Sequence, residues 1–303
     1  MIVTSAIDFK YKLLLLFTLL STFSLITLGG IVRVTESGLG CPDWPLCHGQ
    51  IIPPAEMDVL IEYSHRLTAS FVGVLVMIAM ILGWIRYRYV KLIVIPVGLS
   101  FTLVLVQVVL GGITVLSELR NEIVTIHLLM GELIMGCLVI GSVFSFQSTI
   151  CTFDYRRTWF WLAVGGIVIA LAIIVSGSYI VGIGAGPVCT SWPLCMDDWL
   201  PEHQLMWAHM VHRLVAVLGG AIILGLAVVV GLKYRQDTYM LIATISTVIL
   251  VILQVVIGAG NVWFNFSPII RVLHLSLATM LLIGLVMIAI RMGLEPKAEA
   301  EIE

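Results

Sequence analysis

Eight apolar runs, each long enough to cross a lipid bilayer, constrain this chain more than any other feature. They cover approximately residues 12–32, 63–85, 90–116, 122–147, 159–181, 206–232, 238–260 and 269–292. About 20 mostly apolar residues suffice for a helical span. In hydrocarbon no water is present to satisfy backbone N–H and C=O groups, and a helix satisfies them within its own segment. The sequence therefore predicts an all-α polytopic membrane protein. Composition agrees, since 60% of the 303 residues are hydrophobic and 11% are charged, against roughly 25% charged in soluble domains. A formal net charge of -2 supplies no basic field for nucleic acid, which is set aside as a partner.

An even number of spans places both termini on one side. Lys10, Lys12, Arg86, Arg88, Lys91, Arg156, Arg157, Lys233, Arg235, Arg291 and Lys297 flank the ends on that side, against Arg33, Arg66, Arg120, Arg213 and Arg271 on the other. The positive-inside rule then predicts a multi-pass protein of the cell membrane with cytoplasmic termini. The first run follows Lys10 and Lys12 as a secretory signal would, yet it is too long and no small-residue cleavage site follows, so it reads as a retained helix. The tail EPKAEAEIE has nothing to bury and is expected to be disordered.

Between the spans, CPDWPLC at 41–47 returns as CTSWPLC at 189–195. Both loops fall on the predicted outer side, where disulfides persist. Five intervening residues containing prolines can bring the Cα atoms within bridging range, so Cys41–Cys47 and Cys189–Cys195 are the expected pairs. Cys137 and Cys151 have no repeat and read as buried or reduced thiols. Trp44 and Trp192 suit the headgroup level.

The repeat extends through the whole chain. His65 and His212, Arg66 and Arg213, Gln107 and Gln254, Gly111 and Gly258, and His127 and His274 are each 147 apart, and the cysteines are 148 apart. Two tandem four-helix units follow, pseudo-symmetric bundles at 1–150 and 151–303, related by an axis along the membrane normal. In each unit the histidines fall near the outer starts of its second and fourth helices, at one depth. Two imidazoles at one depth on neighbouring helices can reach opposite faces of a planar ligand, as bundle cofactor sites do. Haem iron accepts two axial histidines while its porphyrin rests on apolar walls; zinc wants three or four ligands in a small sphere. The plainer alternative is that these histidines hydrogen-bond between helices.

The halves differ at one telling position. Glu62, one turn before His65, aligns with His209, one turn before His212, and residues three apart share a helix face. Arg33, Glu36 and His48 of the first half likewise align with Val181, Gly184 and Met196. A carboxylate there can accept protons or stabilise positive charge, or cap the second helix at its positive end. Arg66 and Arg213 can pair with haem propionates, as arginine pairs with carboxylates, or reach water.

With TESGLGCPDWPLCHG, EYSHR, QVVLGGITV and the His127 segment in the first half, and CTSWPLC, HMVHR, QVVIGAGNV and the His274 segment in the second, the chain resembles the haem A synthase family over nearly its whole length. That resemblance implies an oxidoreductase that turns the C8 methyl of haem O into a formyl group by successive hydroxylation. It implies haem b as an electron-relaying cofactor on His212 and His274, and substrate haem at His65 and His127. Glu62 matches the family's essential carboxylate, Cys41 and Cys47 a pair implicated in activity, and Cys189 and Cys195 a structural pair. The implied partners are haem O, the lipid bilayer, an electron acceptor that the sequence leaves unidentified, haem O synthase upstream, and a second copy of the chain on the exposed helix faces.

Two rival readings remain open at this level. An electron-transfer cytochrome explains the four histidines but gives Glu62 no task. A membrane thiol-disulfide oxidoreductase explains the cysteine loops and leaves the histidines idle, and attacking thiols usually sit in CxxC motifs or at helix N-termini.

Overall fold

The computed structural model describes residues 2–3, 7–147, 151–196 and 201–296. Eight helices long and apolar enough to cross a membrane account for most of the described chain: α1 (Phe9–Val34), α2 (Met57–Tyr87), α3 (Lys91–Leu116), α4 (Asn121–Phe146), α5 (Thr158–Gly182), α6 (Gln204–Lys233), α7 (Thr238–Trp263) and α8 (Pro268–Gly293). The expected runs and the helices agree closely except at the start of α2. That helix opens six residues before the apolar run because its first turns, MDVLIE, carry Asp58 and Glu62, which lower local hydropathy without breaking the backbone.

Local signals set several of the ends. Asp8 and Asp237 cap α1 and α7 by accepting from the N–H groups of Lys10 and Met240, and Pro268 occupies the first turn of α8, where a missing N–H costs nothing. The α3–α4 and α7–α8 turns share one geometry, with positive φ at Glu118 (54°), Leu119 (60°), Asn265 (50°) and Phe266 (56°). Left-handed backbone is uncommon for such side chains. Its use here has a packing reason: Leu119 lies against Gly38 and Phe266 against Gly186, where an added Cβ would approach to 3.0 and 3.6 Å. Each tight turn thus plugs into a glycine of the neighbouring cysteine loop.

Helix α1 packs on α2 and α4, and α3 on α2 and α4; in the same pattern α5 packs on α6 and α8, and α7 on α6 and α8. The halves meet through α1, α4, α5 and α8. Small and hydroxyl-bearing residues line this seam, as in other membrane helix contacts. Thr27 Oγ1 and Ser276 Oγ lie 3.1 Å apart, Thr125 Oγ1 and Ser178 Oγ 3.1 Å apart, and Thr279 donates to the fully buried Glu132 at 2.7 Å. Large apolar side chains on the outer helix faces, Phe71, Trp84, Leu105, Trp161 and Ile252 among them, stay exposed, as a lipid-facing surface requires.

One element was not anticipated. Three short antiparallel strands, β1 (Ile2–Val3), β2 (Cys151–Phe153) and β3 (Leu294–Pro296), pair in that order. They bring the segment before α1, the α4–α5 linker and the segment after α8 to one side. Leu294–Pro296 therefore reaches into the tail expected to be disordered, and the rest of that tail, 297–303, lies outside the described residues. No periodicity announces strands this short.

Candidate haem site

Each paired histidine is seated by a glycine on the preceding helix. A Cβ on Gly29 of α1 would stand 3.1 Å from Cε1 of His65 on α2, and one on Gly111 of α3 would stand 3.7 Å from Cε1 of His127 on α4. The second half repeats this with Gly177 of α5 against His212 on α6 at 3.1 Å and Gly258 of α7 against His274 on α8 at 3.2 Å. At Gly29, Gly177 and Gly258 the absence of a Cβ lets the ring lie this near the facing backbone, while Gly111 leaves ordinary contact distance. Gln107 Nε2 and Gln254 Nε2 each donate at 2.9 Å to the carbonyl of the following histidine, His127 and His274. The Gly111 and Gly258 repeat was visible in the sequence; Gly29 and Gly177 were missed, though GG at 29–30 and GS at 177–178, 148 apart, carried the signal.

At 1.5 Å per residue, His65 and His212 lie about 12 Å below the starts of their helices, and His127 and His274 about 9 Å. The depths within each pair differ by only about 3 Å. The helices differ from the expectation in one respect: α2 and α4 are not neighbours but sit at opposite corners, each between α1 and α3, and α6 and α8 likewise sit between α5 and α7. Diagonal placement directs the paired rings towards a shared interior. Among the described residues no hydrogen bond reaches Nε2 of any of the four histidines, while Nδ1 of His65, His127 and His274 is buried without a partner. His212 alone has one, Ser176 Oγ at 2.8 Å from Nδ1. Ser176 aligns with Leu28, so the first half has no equivalent.

His212 and His274 both line a cavity of 280 Å³ whose other walls include Ile173, Ile223, Val251 and Leu281. Two histidines with unbonded Nε2 atoms, lining one mostly apolar cavity, fit a haem, which takes axial imidazoles and needs apolar surfaces for its ring. Among the described residues no cluster of three or more His, Cys, Asp or Glu side chains can hold a lone metal ion.

Glu62 is buried, 6% exposed, and its Oε1 accepts from Arg66 Nε at 2.8 Å. It lies beyond the first turn of α2, whose N-cap is Glu56, so it is not the helix cap. Arg66 spends its remaining fork on the cysteine loop, with Nη1 donating to Asp43 O (2.7 Å) and Leu46 O (2.9 Å) and Nη2 to Cys41 O (2.7 Å). Arg213 latches the second loop through Pro193 O and Leu194 O, both at 2.9 Å, and its Nη2 is buried without a partner. His209, in the place of Glu62, meets the loop carbonyl of Ala185 at 3.0 Å through Nδ1.

The loops themselves are closed by disulfides Cys41–Cys47 and Cys189–Cys195, each with Cα atoms 4.7 Å apart. Trp44 packs on Gly112 of α3, and Trp192 meets Trp263 edge-on at 5.8 Å. In the first loop the N–H groups of Gly49 and His48 hold the Asp43 carboxylate below its ordinary range, and His48 Nε2 lies 2.9 Å from Gly40 O. Cys137 is a free thiol, partly buried in α4; the side chain of Cys151 lies outside the described residues.

Eight spans, histidine pairs seated on glycine and two disulfide-closed loops define a multi-pass membrane protein. The chain belongs to the family described as cytochrome oxidase assembly protein, whose model matches residues 12–206 and 202–302. It is similar to heme A synthase of Bacillus cereus strain ATCC 14579, at 29% identity over 299 residues that cover 96% of this chain and 95% of that protein. Heme A synthase of Bacillus cereus strain AH187 is 28% identical over 96% of this chain and 97% of its own length. Heme A synthase of Bacillus anthracis strain CDC 684 is 27% identical over 96% and 95% respectively.

Proposed function

We propose that this chain is a haem A synthase, an oxidoreductase that takes haem O and oxidises its C8 methyl to the formyl of haem A. The observation that carries this reading is the asymmetry between two otherwise repeated sites. Both have paired, glycine-seated imidazoles with unbonded Nε2, but only the first has a buried carboxylate one turn away. A cytochrome that only relayed electrons would have no use for that difference.

In this reading residues 1–150 form the bundle that receives substrate haem between His65 and His127, and residues 151–303 form the bundle that keeps haem b between His212 and His274. Haem b supplies one-electron redox chemistry when bound. The serine on His212 supports this division: a partner on the far ring nitrogen fixes the tautomer and strengthens a metal ligand. A resident cofactor needs that hold, and a substrate that must leave does not. Glu62 holds its place through Oε1 and Arg66, leaving Oε2 without a partner among the described residues. Oε2 is then the atom that takes a proton during methyl oxidation, while the apolar helix faces hold the farnesyl tail.

The latch from Arg66 to the first loop puts the disulfide at the rim of the same site, so a change at Cys41–Cys47 reaches Glu62 through one guanidinium. Orientation follows the charge bias, with both termini cytoplasmic and the cysteine loops outside. Electrons leave to an acceptor on the membrane, and haem O arrives from the farnesyl-transferring enzyme.

The test is extraction of the haems from protein made in a host that supplies haem O, followed by chromatography and mass measurement. Recovery of haem b with hydroxyl- or formyl-bearing farnesylated haem is the expected result. Haem b alone, filling both sites, returns the protein to an electron-transfer cytochrome. Glu62→Gln should keep haem b and the fold and lose formyl product; normal product from that variant removes Glu62 from the reaction.

A further inference from the structure

Among the described residues three guanidinium groups border the second cavity and no carboxylate does. Arg33, Arg213 and Arg271 are all in its wall, and among the described residues none of the three lies within ion-pair distance of an acid. Exposed Glu36 acts on Arg271 from beyond that distance. Charges withdrawn from water without a partner are costly, so three cations around one apolar cavity call for an anion.

The three differ in how much of their fork is spent. Arg213 Nη1 serves the cysteine loop, as described. Arg33 comes from α1, in the other half of the chain, and crosses the seam to donate through Nη1 to Ser178 Oγ (2.6 Å) and through Nη2 to Ser178 O (2.9 Å). Ser178 is braced in turn by Thr125 of α4. Its Nε remains uncommitted, and Arg271 at the start of α8 makes no side-chain hydrogen bond among the described residues. Neither residue belongs to the repeat: Arg33 aligns with Val181 and Arg271 with Val124. In the first half Arg66, the counterpart of Arg213, is spent on Glu62 and its loop.

We propose that Arg33 and Arg271 anchor the carboxylates of the porphyrin in the second cavity, so that α1 of the first half helps to retain the ligand of the second. This rests on the haem reading of His212 and His274. It adds a reason why one of two similar sites keeps its ligand: that site has two extra cations placed where a diacid enters last, near the outer helix ends. Guanidinium suits the task because its planar fork stays charged and matches carboxylate geometry.

The experiment uses the full-length protein, prepared without haem and reconstituted separately with ferric protoporphyrin IX and with its dimethyl ester. The readout is the rate of porphyrin loss to an excess of a haem-scavenging globin, followed by the bis-imidazole spectrum. The wild type should hold the diacid about ten- to hundredfold longer than the diester, the scale of one or two lost charge-assisted hydrogen bonds. Arg33→Gln and Arg271→Gln should each lose much of that preference while the bis-imidazole spectrum persists. Equal retention of diacid and diester by the wild type overturns the proposal without any variant. His274→Ala separates the two layers. If the spectrum survives that change in protein that also carries His65→Ala, which removes the first pair, the haem reading fails and the anchor with it. If the spectrum is lost there, while Arg33→Gln/Arg271→Gln keeps the full diacid preference, the haem reading stands and the anchor alone is overturned.

Discussion

Arg66 shows how a single side chain ties a loop to a buried carboxylate. Four hydrogen bonds leave its guanidinium, one to Glu62 and three to loop carbonyls. An arginine beside a histidine in the sequence invites a propionate partner, but the sequence does not say where the guanidinium is spent. Distance in the chain hides it: the carbonyls it serves are 20 to 25 residues away. Ser176 is a second case, a serine in an apolar helix that reads as neutral until its oxygen is found 2.8 Å from His212 Nδ1. Ser176→Ala should leave the fold intact and weaken haem retention in the second site by about 10- to 100-fold, the usual cost of losing a partner behind a metal ligand. Porphyrin loss measured against wild type checks this; an unchanged rate assigns the serine to helix packing.

Among helices, the glycine seats convert a sequence pattern into ring positions. Because the approaches differ, the seats predict graded outcomes. Gly177→Ala and Gly258→Ala place a methyl 3.1 and 3.2 Å from an imidazole carbon, closer than ordinary contact, and should displace His212 and His274 enough to lower haem content at unchanged expression. Gly111→Ala meets His127 at 3.7 Å and should be tolerated. Pyridine haemochrome absorbance per mole of protein reads both. A different link joins the start of α7 to the end of α8, where Arg291 Nε and Nη2 reach Asp237 Oδ2 at 2.7 and 2.6 Å. Burial pushes the Asp237 carboxyl up, but the hydrogen bonds from Arg291 and from the N–H of Met240 outweigh it and the net shift is downward. A carboxylate depressed in the folded state binds fewer protons there than when unfolded. Its stabilisation is complete above its ordinary value of about 3.9 and is lost as pH falls through the folded value. Asp237→Asn should cost about 0.5–1 kcal/mol near neutral pH, as expected for a partly exposed pair, and should flatten the fall in stability below about pH 4. Thermal unfolding in detergent across that range measures it.

At the scale of the whole molecule, the spans, the repeat and the four histidines were legible because hydropathy and a fixed 147-residue offset are written along the chain. What stayed hidden depends on contacts between halves. The sequence shows Arg33 as a flanking charge and a difference from Val181, and nothing in it tells that the side chain reaches Ser178 of α5. The diagonal arrangement of the histidine helices was hidden for the same reason. The contact between Thr279 and Glu132 belongs with these, and its separation of 147 residues equals the repeat itself, so a residue meets its own counterpart. Such a meeting is what a two-fold relation between two halves would produce at its axis. Two identical chains assembled there would have to set glutamate against glutamate or threonine against threonine. Joining the halves into one polypeptide lets the two positions diverge, so that a hydroxyl faces a carboxyl at the one place where a symmetric dimer must face like with like.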